Sequence, residues 1–145
     1  MRKDLENNLK VEQKLDPAVL TASETALASF DVQNYGSLMF LALVGQSGDT
    51  LSGSVYAELE LEHSDDDSTF EACADADLSE AVTGTNTGTF AKIDDPAEDE
   101  AVFKVGYKGH KRYVRPVVRL TGTHTNGIPV GIVAVGGHGL AKPEA

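Results

Sequence analysis

The sharpest period-two alternation in the chain runs from Val55 to Glu62, with Val55, Ala57, Leu59 and Leu61 on one side and Tyr56, Glu58, Glu60 and Glu62 on the other. Successive Cβ atoms of a strand point to opposite faces of a sheet, so this pattern predicts a strand with one buried and one wet face. The polar run from His63 to Ser68 predicts a turn, and Thr69-Phe70 restarts an apolar pattern. Ser54 to Phe70 therefore reads as a β-hairpin.

Upstream, Phe30 and Val32 alternate against Asp31 and Gln33, and Leu38 to Val44 (LMFLALV) is apolar without a break. Continuous apolarity over strand length predicts a central strand covered on both faces. Downstream come a weaker strand from Phe70, a short one at Phe90 to Ile93, and clear alternations within Asp99 to Tyr107, Arg112 to Leu120 and Ile128 to Val135. Pro116 cannot donate to a ladder, which puts its strand at an edge or at a broken register. Gln46 to Asp49, Asp94 to Glu98, Lys108 to Lys111 and Asn126-Gly127 supply the turns. Gly136-Gly137-His138-Gly139 reads as a flexible release of the chain. About seven or eight mainly antiparallel strands at spacings of roughly ten residues, without a sustained helical period, predict an all-β fold, either a β-sandwich or a barrel.

The first residues differ. Met1 to Asp16 is polar and charged, with Leu5 and Leu9 at a helical i,i+4 spacing but Asn7-Asn8 between them. Asp16-Pro17 marks a boundary, and Leu20 to Glu24 opens either a short helix or an edge strand. The expected organisation is an N-terminal arm over 1–28, extended or loosely helical, a β-domain over 29–139 and a tail over 140–145.

Length adds that 145 residues suit one domain. No stretch approaches the roughly 18 apolar residues of a membrane span, and the N-terminus lacks the apolar segment of a signal peptide. The net charge of −11 disfavours nucleic acid and anionic membranes as partners. That charge is uneven. Glu58 to Glu100 holds fifteen carboxylates against Lys92 alone, whereas Val102 to Leu120 holds Lys104, Lys108, Lys111, Arg112, Arg115 and Arg119 with no carboxylate. The two regions pair either within one chain or between subunits.

Candidate chemistry is thin. His63, Asp65, Asp66 and Asp67 cluster oxygens at a turn but lack the spaced ligands of a calcium loop, so an Asx-type turn is expected. Asp94, Asp95, Glu98, Asp99 and Glu100 form a second acidic group, without the Trp-lined cleft of a glycosidase. His110, His124 and His138 would form a metal site only if their turns met. Cys73, flanked by alanines, reads as a small apolar residue with no base nearby. Tyr107 and Tyr113 lie near the basic strand, where bases could stack on them, but the acidity of the chain opposes a polyanion. No catalytic group, metal or cofactor is expected.

The segments LSGSVYAELELEHSDDDSTF, IDDPAEDEAVFKVGYKGHKRYVR and TGTHTNGIPVG together resemble small structural proteins of the head region of tailed bacteriophages, over about Leu15 to His138. The resemblance implies a capsid decoration (cement) protein, a head–tail connector or a tail component. In the first case it implies the major capsid protein and further copies of itself, as a homotrimer, for partners, and the capsid surface of the virion for location, after assembly in the host cytoplasm. Candidate subunit or capsid contacts are Leu5, Leu9, Glu58, Glu60, Glu62, Arg112, Arg115 and Arg119. A carbohydrate- or receptor-binding sandwich using Tyr56, Tyr107 and Tyr113 is the other class.

Overall fold

A computed structural model describes residues 5–139, so Met1 to Asp4 of the expected arm and the 140–145 tail lie outside the described residues. Among the described residues nine strands form two antiparallel sheets: β1 (Lys10–Leu20), β2 (Phe30–Asp31), β3 (Tyr35–Val44), β4 (Tyr56–Ser64), β5 (Glu71–Ala72), β6 (Thr89–Ile93), β7 (Ala101–Tyr107), β8 (Tyr113–Thr121) and β9 (Ile128–Gly139). One sheet runs β1-β9-β3-β7, and the other β2-β8-β4-β5, with β6 also on the far side of β4. Only single 3-10 turns, at Glu6–Asn8, Asp75–Asp77 and Pro96–Glu98, interrupt the strands among the described residues.

Alternation decides what fills the space between the sheets. Leu38, Phe40, Ala42 and Val44 of β3 point inward with Val130, Ile132 and Ala134 of β9, and meet Ala57, Leu59 and Leu61 of β4 and Val114 and Val118 of β8 in one buried cluster. This is the sandwich that the period-two pattern predicts. The hairpin of β4 is short, since β5 pairs only at Glu62–Ala72 and His63–Glu71.

The arm is a correction. Lys10–Leu20 is an edge strand laid along β9 from Lys10–Gly136 to Leu20–Ile128, with register shifts between Gln13 and Leu15 and between Leu15 and Ala18. Those bulges and Pro17 break the alternation that would have revealed it. Its polar composition is absorbed locally: Lys14 turns inward, donates to the Ser29 carbonyl at 2.8 Å and to Glu12 at 2.6 Å, and lies 5.9 Å from the Phe30 ring centroid. Leu5 and Leu9 flank a 3-10 turn instead of sharing the face of an amphipathic helix. At Glu24 a single bridge to Val118 replaces either expected element.

Two further readings change. Gly136 to Gly139 is not a release but the last third of β9, paired with β3 and, at Gly136, also with Lys10 of β1. A Cβ at Gly136 would come within 2.6 Å of Phe30 Cζ, so glycine lets that ring lie against the sheet. Pro116 sits in β8, an internal strand fully paired with β4. The backbone of Val118 bonds outward to Glu24 and that of Arg112 outward to Val32, so Pro116, two residues from Val118, turns its donor-less nitrogen to the gap between those contacts. The proline is tolerated because the ladder is open on that flank.

Candidate interaction surface

The glutamates of β4 point away from the core as the alternation predicts, but they are not wet. Glu58 is 0% exposed and Glu60 2%. Residues 81–88 fold over them: Thr85 donates its backbone N–H to Glu58 Oε2 and its hydroxyl to Oε1, both at 2.7 Å, and Asn86 Nδ2 donates to Glu60 Oε1 at 3.1 Å. Arg119 Nε donates to Glu60 Oε2 at 2.7 Å. Buried carboxylates persist only when their oxygens are satisfied, and here all four are. A Cβ at Gly84 would meet Glu58 Oε2 at 2.5 Å, so glycine brings the segment flush with the sheet. The sequence signal was the small, donor-rich TGTNTGT, which is legible as a cover only once its place above β4 is known.

The expected contacts between glutamates and arginines form within the chain. Glu62 pairs with Arg115 at 2.8 Å, and that guanidinium lies 3.9 Å from the Phe70 ring centroid. Arg112 instead binds Asp31, Nε to Oδ1 at 2.9 Å and Nη2 to Oδ2 at 2.8 Å, and this hydrogen-bonded cation holds the Asp31 carboxyl below its usual range. Glu60 raises the pKa of Arg119 in turn. Of the eight candidate contacts, Glu58 and Glu60 are therefore unavailable to a partner, and Glu62, Arg112, Arg115 and Arg119 are engaged inside the fold. Leu5 remains 67% exposed and Leu9 is half-buried.

The other clusters serve local structure. Asp66 accepts from the Ser64 hydroxyl and from the Ser68 and Thr69 amides, led by Thr69, which lowers its pKa to about 2. This is the Asx-type turn. His63 is a strand residue, buried, with Nδ1 2.9 Å from the Tyr107 hydroxyl, which also accepts from the Lys111 amide at 3.0 Å. Burial lowers the His63 pKa and pushes Tyr107 up to about 12. Lys111 closes the group on Glu71 at 2.6 Å. Cys73 is buried and its thiol pushed up to about 12, mainly by desolvation. His124, bonded through Nε2 to the Tyr56 and Thr121 carbonyls, precedes the start of β9, while His138 stands near its end beside Ser37. No group of three or more potential metal ligands converges among the described residues. Tyr56 and Tyr113 pair with opposite ends of β8 and β4, so the three tyrosines share no platform.

The unfilled surface is on the other sheet. Its outward face presents three cross-strand rows: Gly131–Leu43–Val102, Val133–Leu41–Lys104 and Val135–Met39–Gly106, extended on β1 by Gln13 beside Val133 and Val11 beside Val135. Val11 is 57% exposed, Val19 58%, Leu43 55% and Val102 60%. Pro17, Val19, Leu43, Val102 and Pro129 line a shallow, mainly apolar depression at one end of it, with Glu100 and Gln46 also in its lining. No carboxylate stands in those rows, in a chain whose net charge is −11. The unbroken apolarity of Leu38–Val44 predicted cover on both faces; within one chain, only the Leu38, Phe40, Ala42 and Val44 face has it. Large contiguous apolar surface on a folded chain marks a contact site.

Comparison with family models, with curated proteins and with solved structures returned no match to this chain.

Proposed function

We propose that this chain is a non-enzymatic structural protein of a phage virion, binding the outside of the capsid as a decoration protein and stabilising the shell. Its partners are the major capsid protein and further copies of itself. The observation that carries the reading is the outward face of the β1-β9-β3-β7 sheet, apolar across its strands and free of carboxylates in its three central rows. Burying Val19, Leu43 and Val102 there would contribute about 1–2 kcal/mol each. The resemblance of the β4 hairpin and the KRYVR and TGTHTNG segments to phage head proteins supplies the assembly context.

The rest of the chain is consistent with packing and offers little to catalysis. Glu58, Glu60, Glu62, Arg115 and Arg119 hold β4, β8 and the 81–88 cover together. Copy number separates the decoration role from the head–tail connector or tail role. Quantitative mass spectrometry of purified particles is expected to give copies on the order of hundreds, as a shell lattice demands, whereas a dozen or fewer, the size of a ring, would favour the connector.

A further inference from the structure

The occupant of the outward sheet face is, we infer, a second copy of this chain, seated face to face about a twofold axis that runs parallel to the strands. The inference deepens the self-association in the reading above and rests on it only for context, since it concerns the purified chain without particles.

The sheet order β1-β9-β3-β7 is what makes the face self-complementary. A twofold along the strands lays β7 of one copy over β1 of the other, and β3 over β9, and keeps each cross-strand row opposite itself. Leu43 and Val102 then meet the Gly131 end of the same row with Pro17 beside it, Val19 lying further along β1 opposite Pro129, and Met39 meets Val135 and Val11. In the middle row Lys104, the cation of the face, comes over Gln13 of the copy, whose side-chain amide is bonded to Asp16. A cation on the β7 margin and a carboxylate on the β1 margin are thus brought together twice by one operation. The alternative twofold, across the strands, would set Lys104 near its own image.

Size agrees. Four strands about 4.8 Å apart and roughly eight residues of about 3.4 Å long make a face of about 500 Å² before side-chain relief. Two such faces come to about 1,000 Å², the threshold of a specific interface, and relief raises it toward the standard range. Aligned sheet-on-sheet packing at about 10 Å accommodates side chains of the Val, Leu and Met size found here.

Sedimentation equilibrium of the purified chain over a dilution series tests the inference. The expected mass is twice the 15.4 kDa of one chain. Leu43→Glu and Val102→Glu, each on an exposed outward position, should return the monomer mass with an unchanged far-ultraviolet circular dichroism spectrum. Lys104→Glu should weaken the dimer about tenfold or more, and adding Asp16→Lys should restore much of it. A monomeric or trimeric wild-type chain, a dimer indifferent to both glutamate substitutions, or no rescue by Asp16→Lys would overturn the inference. The decoration reading is tested separately, by the wild-type copy number per particle, which these solution masses do not measure.

Discussion

Arg119 of β8 reaches diagonally to Glu60 of β4, the guanidinium Nε 2.7 Å from Oε2, with the glutamate side chain 2% exposed and the arginine 32%. The carboxylate is sealed between this cation and Asn86, so its charge depends on partners from two different segments. Arg119→Ala would strand a buried anion, with an expected loss of about 2–4 kcal/mol and a fall in Tm of about 6–12 °C. Replacing both partners by leucine should cost less than the single change. Thermal unfolding of the three variants measures this directly, and a single mutant as stable as wild type would remove the ion pair from the account.

The cover over the glutamates has its own weak point. Gly84→Ala drives a methyl into Glu58 Oε2 and Thr89 and should destabilise by about 1–3 kcal/mol. Thr85→Val keeps the volume and the backbone donor but deletes the hydroxyl bond to Glu58 Oε1. Chemical denaturation should rank Gly84→Ala and Thr85→Val both below wild type. Hydrogen exchange should localise the loosening to residues 81–88.

Stability should decline with acid in two separate windows. The folded pKa of His63 lies below its ordinary value because burial disfavours the cation, with Asp77, Glu71 and Asp65 opposing that shift and Lys111 adding to it. The unfolded chain therefore takes up the proton first, and stability falls as pH drops below about 6.5, levelling once the folded histidine also protonates. Asp66, held down to about 2, contributes stability that is present above the ordinary aspartate value of 3.8 and lost as pH falls toward 2. Unfolding midpoints measured against pH should lose the upper window in His63→Gln and show a smaller acid loss in Asp66→Asn, with Asp31 still contributing to the lower window.

Cys73 should be inert in the native chain. Burial and neighbouring carboxylates push its thiol up to about 12, so almost no thiolate exists at neutral pH. A chromogenic disulfide reagent should titrate the thiol only after denaturation. Rapid reaction of the folded protein would contradict the packing around β5.

The strands whose inner faces alternate cleanly were legible from sequence, because burial imposes a period of two on β4, β7, β8 and much of β9. β1 was not, since two bulges and Pro17 shift its phase and a buried lysine occupies an inward position. Alternation also assigned Glu58 and Glu60 to the correct face of β4 but gave no account of what lies above it. That cover comes from a segment some 25 residues downstream, a relation no local pattern carries. The same limit hid the open surface: Leu38–Val44 announced two apolar faces, and the topology alone leaves Met39, Leu41 and Leu43 without a second layer.

If the exposed sheet face joins copies of this chain as they coat the virion, its particle occupancy must depend on Leu43 and not merely on folding. The direct measurement is the number of copies retained per purified particle for wild type and Leu43→Glu, each first shown to have the same Tm. The account predicts copies on the order of hundreds for wild type and loss of most of them in the variant. Equal occupancy of the two proteins, or a wild-type count of a dozen or fewer, would contradict it.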